Sequence, residues 1–182
     1  WSLEDVINTG DAESIKKTNI AQPYIFAISY CYGLEAINKY GQASALIGHS
    51  LGEYTALAIS GYFSFVDALK VISVRGEAMQ KSVENSNTGM AAVLTTDLGA
   101  TLKEITVLNS QDIEVWISNY NDASQIVISS SIDNLEYLKS NAKALAAKRV
   151  IPLEVAGAFH SEIVSPAKPA LAEALDLSLI HI

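Results

Sequence analysis

The sequence predicts an α/β protein in two parts: a main α/β unit interrupted by a compact subdomain with the ferredoxin-like order β-α-β-β-α-β. Three observations predict it. A short apolar run, Ala43 to Ile47, leads straight into Gly48-His49-Ser50-Leu51-Gly52 and then into helical composition, which gives strand, glycine-flanked turn, helix. Residues 88–155 switch between alternating and three-to-four-residue apolar spacing in the order β-α-β-β-α-β. Of 182 residues, 49% are hydrophobic and 18% charged, which is enough apolar surface for a core.

Ser2 before Leu3-Glu4-Asp5-Val6 reads as a helix start. Gln22-Pro23 opens a strongly apolar helix that is expected to be largely buried, with Pro23 at its first position and Gly41 just past its end. Cys31 lies inside it and reads as a small buried hydrophobe. Ala43–Ile47 is then a strand, and Glu53 to Ser60 a helix stopped by Gly61. Ser64 with Asp67 three residues on is a capping-box signature. The helix it starts puts Leu69, Ile72, Gly76 and Met79 on one side, and Asn85 to Gly89 is a polar loop.

Met90 to Leu94 reads as a strand, and Leu98, Leu102, Ile105 and Leu108 as a helical stripe. Ile113, Val115 and Ile117 alternate as a strand does, Asn119 to Ser124 is expected to loop, and Gln125 to Ser129 is a strand. Ile132, Leu135, Leu138 and Ala142 make a second helical stripe. Arg149 to Val155 is a final strand, placed at an edge because Pro152 has no N–H for a ladder. A small-residue loop, Ala156 to Ser161, precedes an Ala/Leu-rich helix from Pro166 to Leu175. The division is therefore 1–87 and 156–182 for the large unit, and 88–155 for the inserted subdomain.

Twelve Lys and Arg against twenty Asp and Glu leave a net charge of −8. Without a basic cluster to neutralise phosphates, this argues against nucleic acid. No apolar run approaches the ~20 residues of a membrane span, and no signal-peptide pattern opens the sequence. A single cysteine forms no internal disulfide and fits a reducing, cytoplasmic setting. The opening at Trp1 and the apolar close Leu179-Ile180-His181-Ile182 read as a piece of a longer protein.

Gly48-x-Ser50-x-Gly52 matters because of where it sits. A sharp strand-to-helix turn projects a serine hydroxyl from the structure, and the helix start offers N–H groups where an oxyanion would form. Leu51 N–H is the natural first donor, and an ordinary tight turn is the competing reading. A serine nucleophile needs a base, and there are three histidines. His49 adjoins Ser50 and should point elsewhere, into the core, and His181 is incidental. Elimination leaves His160, and no acidic third member can be chosen. Arg75 is either a solvated arginine or a guanidinium fork for a substrate carboxylate.

These residues together resemble the malonyl-CoA:acyl carrier protein transacylase family, the acyltransferases of fatty acid and polyketide synthesis. The resemblance runs from Trp1 to Asp176. Its signposts are Ala21-Gln22-Pro23, Gly48-His49-Ser50-Leu51-Gly52-Glu53-Tyr54, Val74-Arg75-Gly76-Glu77-Ala78-Met79-Gln80 and Gly89-Met90-Ala91-Ala92-Val93. Asn119-Tyr120-Asn121, Gln125-Ile126-Val127-Ile128 and Gly157-Ala158-Phe159-His160-Ser161 continue the series.

The resemblance implies an α/β-hydrolase-like core around the inserted subdomain. It implies Ser50 as the nucleophile that takes malonyl from coenzyme A, His160 as general base and later acid, and Arg75 as the holder of the malonyl carboxylate. Gln22 matches a pocket glutamine, and Leu51 N–H one oxyanion donor. Phe159 matches the malonyl-selecting form of its motif, where bulk against an α-methyl branch is worth ~1–3 kcal/mol. The histidine would be oriented by a backbone carbonyl instead of an aspartate. The implied partners are malonyl-CoA and acyl carrier protein, with no metal, no cofactor beyond the coenzyme A thioester substrate, and a monomeric state. Carrier proteins are acidic, so Lys143, Lys148 and Arg149 are the candidate docking cations. The family's G-Q-G-S-Q strand, with its second oxyanion donor, and its C-terminal part have no counterpart here. The core is thus expected to be incomplete at both ends and the chain inactive by itself. The loop Asn121 to Ser124 also lacks the family's usual Pro-Gly. The alternatives are a serine hydrolase, thioesterase or patatin-like, against which Arg75 and the motif order argue, and an acyltransferase domain of a polyketide synthase.

Overall fold

The computed structural model describes residues 2–9 and 12–179; Trp1, Gly10, Asp11 and residues 180–182, with His181, lie outside the described residues. In chain order the elements are α1 (Leu3–Thr9), α2 (Ala12–Lys16), α3 (Thr18–Tyr40), α4 (Gly52–Ile59), α5 (Phe65–Val83), β1 (Thr88–Leu94), α6 (Leu98–Asn109), β2 (Trp116–Asp122), β3 (Gln125–Ser131), α7 (Ile132–Ser140), β4 (Arg149–Pro152) and α8 (Lys168–Leu179). Short 3-10 turns cover Ala142–Leu145 and Glu162–Ala167. The chain divides into two compact units, Trp1–Gln80 with Ala167–Ile182, and Lys81–Pro166.

Among its described residues the regular elements of the first unit are all helices. Ser2 Oγ accepts from Asp5 N–H at 3.1 Å, so α1 starts where its cap predicts. Helix α3 begins at Thr18, upstream of the expected start, and holds Pro23 in its interior. The Gln80 side chain accepts from Thr18 N–H at 3.0 Å and supplies the cap from outside the helix. Tertiary packing thereby outweighs the one helical bond that Pro23 forgoes. The expectation of a largely buried helix holds only for its first half. Thr18, Ile20, Gln22, Pro23, Phe26 and Ala27 are buried, whereas Tyr32 is 71% and Tyr40 76% exposed. Cys31 is exposed too, against the reading of a buried hydrophobe. The reason is local: the core of this unit is Phe26, Leu51, Ala58, Phe63, Ala68 and Ile72, and α3 reaches it no further along than Tyr30.

Ala43–Ile47 is not a strand. It runs irregular and exposed, with Ile47 96% exposed. A strand exists only against a neighbour that takes its N–H and C=O groups, and no strand among the described residues pairs with this run. The helix stops are as expected. Gly61, at φ +80°, closes α4 with Gly61 N–H to Ala58 C=O at 3.1 Å and Tyr62 N–H to Leu57 C=O at 2.9 Å, a Schellman end. Ser64 Oγ accepts from Asp67 N–H at 3.0 Å and donates to its carboxylate at 2.7 Å, which starts α5. Phe65, in the first turn of α5, stacks on Phe26 with ring centroids 5.3 Å apart. Further along, α5 meets α3 backbone to backbone. A Cβ on Gly76 would lie 2.9 Å from Asn19 Cα and 3.2 Å from the Thr18 carbonyl oxygen, so the crossing needs glycine.

The second unit is wider than residues 88–155, because Val83 packs on Gly157, where a Cβ would come within 2.5 Å of the valine Cβ. Its four strands form one antiparallel sheet in the order β2-β3-β1-β4. Ala91 faces Ile128 and Val93 faces Ile126 across β1 and β3. These four side chains are fully buried with Leu138 and Leu145, under α6 and α7. Each Leu or Ile buried this way contributes about 1.5–3 kcal/mol. Asp97 caps α6 through Ala100 N–H at 2.9 Å, and Ser131 caps α7 through Asn134 N–H at 3.2 Å.

Asn119–Ser124 is not all loop. Strand β2 runs on to Asp122, which pairs with Gln125, so only Ala123 and Ser124 turn. The Asp122 carboxylate accepts from Ser124 N–H at 2.6 Å and Ser124 Oγ at 2.7 Å, and these side-chain bonds do the work of the missing Pro-Gly. β4 lies at the sheet edge, as Pro152 requires, and ends there, short of Val155.

Candidate active site

Ser50 sits at φ +51°, in the left-handed region that side chains other than glycine seldom adopt. Holding a serine there costs on the order of 1–2 kcal/mol, and the turn around it shows how it is held. Gly52 N–H bonds to His49 C=O at 2.9 Å, Glu53 N–H to Ser50 C=O at 3.2 Å, and Tyr54 N–H to Leu51 C=O at 3.0 Å. Gly48 is indispensable to this fold-back, because a Cβ there would lie 1.9 Å from Gly52 C and 2.1 Å from Glu53 N. Gly52 is different: a Cβ there meets nothing within 4 Å. The two glycines of the pattern are therefore unequal, and only the first answers to close approach. Leu51 places its N–H at the head of α4 while its side chain enters the core at 8% exposure. His49 is exposed, not turned into the core, because the fold-back leaves it outside the turn.

Arg75 is buried, at 8% exposure, which excludes the solvated reading. One guanidinium nitrogen donates to Gln22 Oε1, and the other donates to Ser50 Oγ at 3.1 Å. Its Cζ lies 5.5 Å from the centre of the Tyr54 ring. Gln22 is itself fixed: its amide nitrogen donates to Thr18 Oγ1 at 2.8 Å and to Met79 Sδ at 3.4 Å, which turns its oxygen toward the guanidinium. The α3–α5 crossing at Gly76 brings these residues together. Burial holds the Arg75 guanidinium below its ordinary range, opposed by the Tyr54 hydroxyl and more weakly by Glu53. Burial likewise pushes the Tyr54 phenol up, while Arg75 pulls it down. No carboxylate among the described residues lies within ion-pair distance of Arg75. A guanidinium has five N–H donors, and the Gln22 and Ser50 bonds use two. A buried cation with donors to spare beside a half-buried serine has the chemistry to take up an anion.

The first unit thus assembles Ser50, Leu51, Gln22 and Arg75, and adds Tyr54, to which the sequence reading gave no role. Its signal was its place one helical turn after the serine. Phe159 and His160 belong to the second unit. There Phe159 is buried and His160 exposed, the latter at φ +56°. Phe159 N–H bonds to Gly157 C=O at 2.9 Å, Ala158 N–H to Thr88 Oγ1 at 3.1 Å, and Ser161 Oγ to Ala158 C=O at 2.6 Å, so this loop is tightly bent and pinned. Among the described residues, no group of three or more His, Cys, Asp or Glu side chains is placed to hold a metal ion, and no helix is long and apolar enough to cross a membrane.

A family model described as acyl transferase domain matches residues 1–180. The malonyl CoA-acyl carrier protein transacylase of Bacillus subtilis is 41% identical over 176 residues, 96% of this chain and 55% of that protein. The protein of the same name from Escherichia coli K12 is 33% identical over 173 residues, 94% of this chain and 55% of its own. Among solved structures, a malonyl-transacylase in complex with its type II polyketide synthase acyl-carrier protein superposes with a TM-score of 0.86 at 30% identity, over 98% of this chain and 58% of that one. The transacylase of Clostridium perfringens gives 0.81 at 33% identity, over 96% and 55%. The chain spans about half the length of the curated relatives it matches. These likenesses bear out the α/β fold.

Proposed function

The chain belongs to the acyl transferase domain family, and from that premise we propose that it carries the central machinery for moving a malonyl group from malonyl-CoA to the phosphopantetheine thiol of acyl carrier protein, in fatty acid biosynthesis. One observation carries the reading: the buried Arg75 guanidinium, with no carboxylate of its own, donates to the oxygen of Ser50. An acyl group with an anionic end one methylene from its carbonyl places charge on Arg75 and carbonyl carbon at Ser50 together. A neutral acyl group leaves the guanidinium unsatisfied, and a longer diacid overshoots.

The chemistry runs in two halves. His160 takes the Ser50 proton as the hydroxyl attacks the thioester carbonyl, and Leu51 N–H steadies the oxyanion. The carbon–sulfur bond breaks, and coenzyme A leaves as a thiol with the proton from His160. In the second half His160 takes the proton of the carrier's thiol, which attacks the malonyl-serine ester, and returns it to Ser50. The role of His160 rests on its Ala-Phe-His-Ser motif, and that of Phe159 is to crowd an α-methyl branch. We read the first unit as the helical face of an α/β-hydrolase-like core, supported by the turn at Ser50, and the second as the ferredoxin-like subdomain, supported by its strand order. Lys143, Lys148 and Arg149, all exposed, suit an acidic carrier. The relatives are named for malonyl transfer, which favours this reading over hydrolysis.

Mass spectrometry after mixing the full-length protein with malonyl-CoA tests the proposal. A malonyl adduct that is absent in Ser50→Ala and discharged by carrier protein is expected. Free malonate with no transfer would overturn it.

A further inference from the structure

The bend at Phe159 and His160 is held from behind by two serines that the reaction does not use. Ser129 Oγ lies 2.7 Å from the Phe159 carbonyl oxygen, Ser118 Oγ 3.1 Å from it, and the two hydroxyl oxygens are 2.6 Å apart. Two hydroxyls own two protons, so three contacts cannot each hold one. Oxygens 2.6 Å apart need a proton between them. If Ser129 supplied it, the 2.7 Å contact with the carbonyl would set lone pair against lone pair. The two shortest contacts are satisfied together in one way only: Ser118 O–H donates to Ser129, and Ser129 O–H donates to the Phe159 carbonyl. We propose that this ordered hydroxyl relay positions His160, an inference that rests on reading His160 as the base.

Three features support it. Ser129 is fully buried, so the carbonyl it meets has no solvent to turn to at that side. Ser118 falls in a register shift of β2, between Ile117 paired with Ile128 and Asn119 paired with Val127, and so has no residue directly opposite it in the ladder. A bulge of this kind re-aims a side chain. Finally, the peptide whose carbonyl is fixed is the one that enters His160, a left-handed residue that holds its φ of +56° only if its surroundings insist. Chained hydroxyls polarise one another, so each strengthens the next bond. Ser118 and Ser129 are positioning residues: they fix the Phe159–His160 peptide and through it the imidazole.

The proton order predicts a non-additive pattern. Ser118→Ala leaves the Ser129 bond intact. Ser129→Ala frees the Ser118 proton to reach the carbonyl directly, at the longer distance. In the full-length protein each single change should lower kcat about threefold or less, and the double change about tenfold to a hundredfold, with KM for malonyl-CoA within about twofold. Ser118→Thr, which keeps the hydroxyl, should retain kcat. Amide hydrogen exchange across residues 157–161 in the full chain should quicken about tenfold in the double variant, with β1 and β3 unchanged. Simple additivity, or a double variant with unaltered exchange and kcat, overturns the relay. His160→Ala separates the two ideas: loss of transfer there beside an unaffected double variant removes the relay alone. Retained transfer removes His160 as base, and the exchange pattern still judges the relay.

Discussion

In the proposed reaction, Arg75 is where the chemistry becomes specific. A solvated arginine would be indifferent to the acyl group, but one at 8% exposure with its fork across Gln22 and Ser50 is not. A hydrogen bond to a charged group is worth about 1.5–3 kcal/mol, so Arg75→Ala should cut malonyl transfer about tenfold to a hundredfold while acetyl transfer changes little. Equal losses for both groups, measured as kcat/KM, would remove Arg75 from the carboxylate role. Ser50 and Leu51 could be singled out from the turn pattern itself, whereas Gln22 and the carboxylate role of Arg75 came only with the family resemblance; the structure brings the four side by side. What was not legible is that Gln22 is held by Thr18 and Met79 and so orients the arginine. Nor were Ser118 and Ser129 legible, since a serine in a strand is an ordinary polar residue until its partner is known. Gly48 and Gly52 looked alike in sequence; only geometry tells the one that must be glycine from the one with open space.

Among elements, the periodic ones were read well and the ones that depend on a partner were not. Caps at Ser2, Ser64 and Gly61 act within a few residues and were visible. Ala43–Ile47 has strand composition and no strand beside it, so no ladder forms. The two strands of the β2–β3 hairpin were expected but its tight turn was not, because Ala123-Ser124 lacks the Asn-Gly or Gly signal of a two-residue turn; Asp122 supplies the turn through its side chain instead. Those two bonds hold the Asp122 carboxyl below the usual aspartate range. A depressed carboxyl contributes stability above the ordinary aspartate range and loses it as pH falls through that range to the folded value. Unfolding midpoints measured across acid pH should therefore fall less steeply in Asp122→Asn, and an unchanged slope would show that the turn does not need the charge.

At the scale of the molecule the described residues form two cores, one around Phe26 and Ile72, the other around Val93, Ile126 and Ile128. Two compact units need not unfold as one. Ile128→Ala should remove about 2–5 kcal/mol from the second unit, with hydrogen exchange quickening across β1 and β3 before it does in α5. Equal effects in both would mean that the chain unfolds cooperatively as a whole. The sequence reading starts its subdomain at residue 88, because Val83 reads as the end of a helix; its contact with Gly157 lies within the compact unit Lys81–Pro166. Cys31 offers one practical consequence. It is the chain's single thiol, and it is exposed on the same helix that buries Gln22. A maleimide fluorophore would therefore attach at one place without mutagenesis, and its emission would report on the helix that steadies Arg75 while leaving the reacting groups unmodified.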